Sequence, residues 1–338
     1  MVVPLEKETM LIYPEIEDTI SHRYGRRVQR FLPYTEEKYN LFEAATMTLK
    51  TAFTDTGITK GRVGVEVGFL PVNYYRFLKT NFPEVDLVEA DSIIWKMRMV
   101  KSEEEIELVR KACTAAEIGM ELCVSTQAAG KTEIDVNAEV QCKLTKKASD
   151  LYPNNMVQVT GGVLSGYKTV DPHEIATVKQ LKEGESVKNL VGGTVDGYYT
   201  ALHRTTIVGS PTNIQRNMWN TLVEAQRKGL DLVKPGARVC DVHKRIREVI
   251  DEAGFGGLRS QSPYAHDQAR SGSGQGLSYH EPPYLTSSND TELVPNMIIT
   301  VQPQINSPEL RMGLGIGDTI LITSDGYESL TKFKKDTI

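Results

Sequence analysis

After Ser102, apolar residues recur at Ile106, Val109, Cys113, Ala116 and Met120, a spacing that puts them on one face of a helix. Ser102 followed three residues later by Glu105 is a capping box, so the helix is expected to start there. Residues 132–149 form a second helix on the same grounds. Residues 213–233 and 238–253 form two more, separated by the Pro235-Gly236 turn. Strand-like runs lie between and after them: SVKNLVGG, YYTALHRTTIVG, MIITVQPQI and GDTILIT. Upstream, VVPLEKETMLIYP alternates like two strands around a turn, and GRVGVEVGFL reads as a strand. VNYYRFLKTNFP reads as a short amphipathic helix stopped by Pro83. The pattern divides the chain near residue 100 into a small α/β layer and a larger mixed α/β domain.

Composition narrows the class. With 338 residues and ordinary apolar content, the chain can bury a sizeable core. A net charge of −5, with no basic run longer than KFKK at 332–335, argues against nucleic acid and anionic membrane as partners. No leader-like segment or membrane-length apolar run is present, so a cytoplasmic protein is expected. The four cysteines, Cys113, Cys123, Cys142 and Cys240, lack C-x-x-C spacing and are expected to be reduced and structural.

The segments MRMVKSEEEIELVRKA, PHEIATVKQLKEGESV, GYYTALHRT, GQGLSYHEPP, MIITVQP and GDTILIT occur in an order and spacing that resemble the pita-bread family, M24, of methionine aminopeptidase, prolidase and creatinase. The resemblance runs from about residue 95 to the C-terminus. It implies an α/β (α+β) domain over residues 98–338, with pseudo-twofold αβ halves and a curved antiparallel sheet holding the active site. Residues 1–97 would be the smaller α/β domain of the creatinase and prolidase branch. They look shortened, because the family's usual first elements have no counterpart before Met1.

The peptidases of this family hold two metal ions with two Asp, one His and two Glu, hard ligands suited to dications about 3.5 to 4 Å apart. In the matching frames this chain has Leu190 in GESVKNL, Ala201 eleven residues on, Ser273 in GSGQG, Gln302 in VQP and Gly317 in GIGD. Leu, Ala and Gly carry no donor atom, and Ser and neutral Gln cannot balance a dication. No metal and no other cofactor is therefore expected. The resemblance is to the metal-free creatinase branch, with an Xaa-Pro dipeptidase-like frame stripped of its ligands.

Two histidines stand in the family's active-site frames, His173 in PHEIATVKQLKEG and His280 in LSYHEPP. The creatinase analogy implies that His173 takes a proton from water and returns it to the leaving nitrogen, a task suited to an imidazole with pKa near 6.5. GYYTAL matches creatinase closely and implies that Tyr199 touches substrate. Creatinase holds a guanidinium with two Glu, whereas the matching positions here are His203 and Gln302, so creatine is not the expected substrate. A neutral or partly anionic small molecule fits better, with Arg270 as carboxylate anchor and Ser273, His203 and Gln302 near it. His266 and Asp267 are candidates to line the same pocket, while His22 and His243 read as surface residues. Ser273 as a nucleophile partnered by His280 is the lesser reading, because sequence gives no distance between them.

The leading expectation is a metal-independent hydrolase of a C–N bond in a small amide, ureido or amidino compound, working as a homodimer. The alternatives are a metal-free enzyme of another type, an elimination or decarboxylation, and an inactive module that binds a peptide or protein. An ordinary metallopeptidase is disfavoured by the five substituted positions.

Overall fold

The computed structural model describes residues 1–5, 7, 9–14, 28–32, 40–171, 174–256 and 270–338. The chain divides into two units, Met1–Ile94 and Trp95–Ile338. In the first, Val2 bridges Met10, and β1 (Leu11–Pro14) runs parallel to β2 (Val28–Leu32). Helix α1 (Leu41–Thr56) opens with an Asn40/Glu43 capping box and ends at Gly57 in the left-handed region. β3 (Gly61–Val65) and β4 (Val85–Glu89) are parallel, connected through α2 (Val72–Asn81). Ala52 and Phe53 of α1 pack with Leu78, Phe82 and Val85 into a small core. Helix α3 (Asp91–Met99) spans the boundary between the units.

Within the second unit, the helix expected from the capping box is α4 (Glu103–Thr126). Its Ser102 Oγ accepts from the Glu105 amide at 3.3 Å while Glu105 accepts from the Ser102 amide at 2.7 Å. α5 (Glu133–Leu151) is capped the same way by Thr132 and Asp135. Three antiparallel strands follow: β5 (Val157–Ser165), β6 (Ser186–Val195) and β7 (Tyr198–Ile207). The β6–β7 hairpin turns at Asp196 and Gly197, both with positive φ (49° and 86°), the backbone a two-residue hairpin needs to match strand twist. After α6 (Asn213–Leu230) and α7 (Val239–Glu252) come β8 (Arg270–Gly274), β9 (Glu281–Thr286), β10 (Ile298–Val301), β11 (Gln304–Ser307), β12 (Met312–Gly315), β13 (Asp318–Ile322) and β14 (Tyr327–Ser329).

Helices α4 and α5 cover the β5-β6-β7 sheet, burying Met120, Val140 and Leu144 against Val163 and Val191. Helices α6 and α7 cover the β14-β13-β10-β8-β9 sheet, burying Leu222 and Ile246 with Leu285, Ile299 and Ile320. At about 25 cal/mol per Å² of apolar area, each such cluster is the main force holding its half together. An isolated antiparallel bridge between His203 and Gly317 joins the two sheets.

Two expectations change. MIITVQPQI is two strands, because Pro303 cannot donate to a ladder, and the break between β10 and β11 leaves Gln302 between them. His243 is not a surface residue. It is buried at 4% exposure on α7, with Nδ1 2.9 Å from Ser271 Oγ, because it falls on the Val239, Val242 and Ile246 stripe facing the sheet. Burial, with Arg247 and Lys244 nearby, pushes its pKa down to about 4. All four cysteines are free. Cys113, Cys123 and Cys240 are buried and Cys142 is exposed, and burial pushes the Cys113 and Cys123 thiols up to about 12. No helix among the described residues is long and apolar enough to cross a membrane.

Candidate active site

Strand alternation sends neighbouring residues of β7 to opposite faces, and here both are fully buried: His203 at 1% exposure and Arg204 at 0%. The His203 main chain makes the bridge between the sheets, donating to Gly317 O at 3.1 Å and accepting from Gly317 N at 2.9 Å. Its imidazole lies against Gly315. A Cβ on Gly315 would stand 2.3 Å from His203 Cε1, closer than side-chain atoms can pack. A Cβ on Gly317 would stand 2.7 Å from Gln302 Cγ. The two glycines thus make room for the two side chains, and those side chains meet: Gln302 Nε2 lies 3.3 Å from His203 Nδ1.

His203 and Gln302 line a cavity of about 100 Å³ together with Lys188, Leu190, Arg270, Gly272, Tyr279, His280, Thr300 and Gln304. Lys188 comes from the middle of β6 and is 1% exposed; its Nζ donates to Gln304 Oε1 and Asn306 Oδ1, both at 2.9 Å. The Arg270 guanidinium lies 5.9 Å from the Tyr284 ring centroid. No Asp or Glu lines the cavity among the described residues. Burial, reinforced by the charges of Lys188 and Arg204, holds the His203 pKa well below the usual 6.5, so the ring is neutral. Its Nε2 is buried and has no hydrogen-bond partner among the described residues.

Of the residues singled out from sequence, the structure brings Leu190, His203, Arg270, His280 and Gln302 together around this cavity. Ser273 lies outside the lining, 1% exposed, with Oγ 2.9 Å from His280 Nδ1. The contact ties one face of the His280 imidazole to β8. Tyr199 also lies outside the lining. It packs edge-on against Tyr279 with ring centroids 6.2 Å apart, and Tyr279 forms the wall. Burial pushes the Tyr279 phenol up. Ala201 is buried opposite Gly192 in the β6–β7 ladder. His173, His22, His266 and Asp267 lie outside the described residues.

Lys188 and Tyr279 were missed by sequence reasoning. Lys188 had a visible signal, a cation inside the apolar run SVKNLVGG, where a buried charge needs a purpose. Tyr279 had only its place beside His280.

Residues 107–324 match metallopeptidase family M24, and residues 1–100 match the creatinase/prolidase N-terminal domain. The chain belongs to family M24. It is 30% identical over 276 residues to an Xaa-Pro dipeptidase of Pyrococcus horikoshii, a match covering 82% of this chain and 74% of that protein. It is 28% identical over 320 residues to a creatinase of a Bacillus species, covering 92% of this chain and 75% of the other. The prolidase structure from Pyrococcus horikoshii superposes with a TM-score of 0.80 at 27% identity, covering 97% of this chain and 86% of that one. The fold is therefore the α/β pita-bread fold preceded by a small creatinase-type domain.

Membership of a metallopeptidase family raises the question of metal, and the described residues do not supply the family's ligand set. The family's ligand frames hold Leu190, Ala201, Ser273, Gln302 and Gly317. No group of three or more His, Cys, Asp and Glu that could hold an ion occurs among the described residues. A carboxylate at position 317 would collide with Gln302, and the Gln302 amide is turned toward His203. The donors left among the described lining residues are two imidazoles, neutral amides, hydroxyls and cations, with no anionic oxygen to offset the charge of a metal pair.

Proposed function

We propose that this M24 protein is a metal-independent hydrolase of a C–N bond in a small amide, ureido or amidino compound. His173 is the group that takes a proton from water and returns it to the leaving nitrogen. One observation carries the reading: the departures from the family's ligand frame are mutually fitted. Gly315 seats His203, Gly317 seats Gln302, and His203 and Gln302 touch each other. Loss of ligands by random drift gives no reason for the replacements to pack together around a cavity, and a rebuilt pocket does.

In this reading His203, Gln302 and Arg270 hold the substrate, Tyr279 walls it in, and His280, tied by Ser273, assists proton movement. Without a metal to lower the pKa of water from about 16 to about 7, a side chain must take the proton during attack. His173 matches the residue that does so in the creatinase branch.

The test is a thermal-shift screen against small amides, ureas and amidino acids, since a tight ligand raises Tm by mass action, followed by turnover of whatever binds. Turnover should survive exhaustive chelation, and His173→Asn should lower kcat by about 10²–10⁴-fold while leaving ligand affinity largely intact. Loss of activity on chelation, restored by two equivalents of Mn, Co or Zn, would overturn the metal-independent reading. A His173→Asn protein as fast as wild type would move the proton carrier elsewhere.

A further inference from the structure

We propose that the cavity is an oxygen-accepting site, in which an oxo or carboxylate oxygen of the ligand takes a hydrogen bond from His203 Nε2–H and amidino or guanidino groups are refused. The proposal rests on the reading above in taking this cavity as the substrate site, and it narrows the substrate to anionic amide or ureido compounds.

The His203 ring is neutral, so one nitrogen carries a proton and the other accepts. The Gln302 Nε2 amide can only donate, so Nδ1, 3.3 Å away, is the acceptor and Nε2 carries the proton. That N–H is buried, without a partner among the described residues, and on a ring that lines the cavity. A buried donor left unmet is costly, and a ligand oxygen at this point removes the cost.

The surroundings select the same chemistry. Among the described lining residues the two that carry charge, Lys188 and Arg270, are both cations, and Tyr279 adds a phenol. With no carboxylate among the described lining residues, a guanidinium would meet like charges and a donor where it needs acceptors. A ureido oxygen in the same place meets donors, and a carboxylate elsewhere on the ligand gains from both cations. Seating the ring is also part of the design: Gly315 leaves the space that the imidazole fills.

N-carbamoylglycine and guanidinoacetate test this, because they share one heavy-atom skeleton and differ in an oxygen against a cationic nitrogen. Calorimetry on the full chain should show N-carbamoylglycine binding at least about tenfold tighter than guanidinoacetate. His203→Phe, which removes the donor, should bring the two affinities together, and His203→Gln, which keeps an N–H, should retain the preference. Equal binding by wild type, tighter binding of guanidinoacetate, or no binding of either at millimolar concentration overturns the proposal, whether or not the variants fold. The outcome is separable from the hydrolase reading. Preference for the ureido acid with no turnover of any amide or urea sinks the hydrolase and keeps the site, and turnover of guanidinoacetate does the reverse.

Discussion

The two faces of β7 at residues 203 and 204 are equally buried and treated oppositely. On one face every N–H of the Arg204 guanidinium is used. Nε donates to Lys334 O, Nη1 to His203 O and Gly317 O, and Nη2 to Phe333 O and to Asp318 Oδ1 at 2.8 Å. On the other face His203 has, among the described residues, one long side-chain contact and one nitrogen with none. A buried group whose hydrogen bonds are all made inside the chain holds the fold. A buried group left half-made is available to something else. The difference separates scaffold from site within two consecutive residues.

The largest expected effect tests the scaffold side. Arg204→Met strips a charge from a buried pair and leaves Asp318 and four carbonyls short of donors, so stability should fall by about 3–5 kcal/mol in urea unfolding. A loss below about 1 kcal/mol would put Arg204 in the class of surface pairs and dissolve the contrast.

Next in size is acid. His243 and His203 are both held below the usual 6.5 by burial, His243 at about 4, so the folded state binds fewer protons than the unfolded chain. No penalty exists above the unfolded value. As pH falls below about 6.5 the unfolded state gains protons that the folded state refuses, and stability drops by about 1.4 kcal/mol per unit per histidine until the folded pKa is reached. Stability at pH 5 should therefore lie about 2 kcal/mol below that at pH 7 from His243 alone, measured by urea titration at each pH. His243→Gln should flatten the slope in that window; an unchanged slope would show that His243 is not held neutral.

The smallest effect tests the site side. His203→Leu removes a ring whose Nε2 had no partner, so stability should change by no more than about 1 kcal/mol in either direction while binding at the cavity is lost. A loss on the scale of Arg204→Met would show that His203 belongs to the fold after all.

Much of this was legible in sequence where local chemistry and burial agree. Ser102 with Glu105 marked the start of α4, and the runs SVKNLVGG and YYTALHRTTIVG marked β6 and β7. Helix α1 was hidden because its buried face includes Thr46, Thr48 and Thr56, whose hydroxyls bond back to carbonyls in the preceding turn, so a polar-looking stripe is in fact inward. His243 was misplaced because a lone polar residue was read apart from the helical stripe it sits on. The family's frames located Leu190, His203, Gln302 and His280 one at a time. That His203 and Gln302 touch, and that Ser273 stands behind His280 rather than in the wall, depends on contacts between segments about 100 and 7 residues apart. Linear spacing carries no such distance.

The seat that Gly315 cuts for His203 makes these substitutions contingent on one another. In the family pattern R-x-E-D, position 315 is the arginine and position 317 the glutamate, and neither side chain can coexist with His203 and Gln302 as they now lie. A single reversion at 315 or 317 is therefore a collision, not a step back toward a metalloenzyme. A change to the peptidase pattern at 315 or 317 would thus have to be paired with a change at 203 or 302.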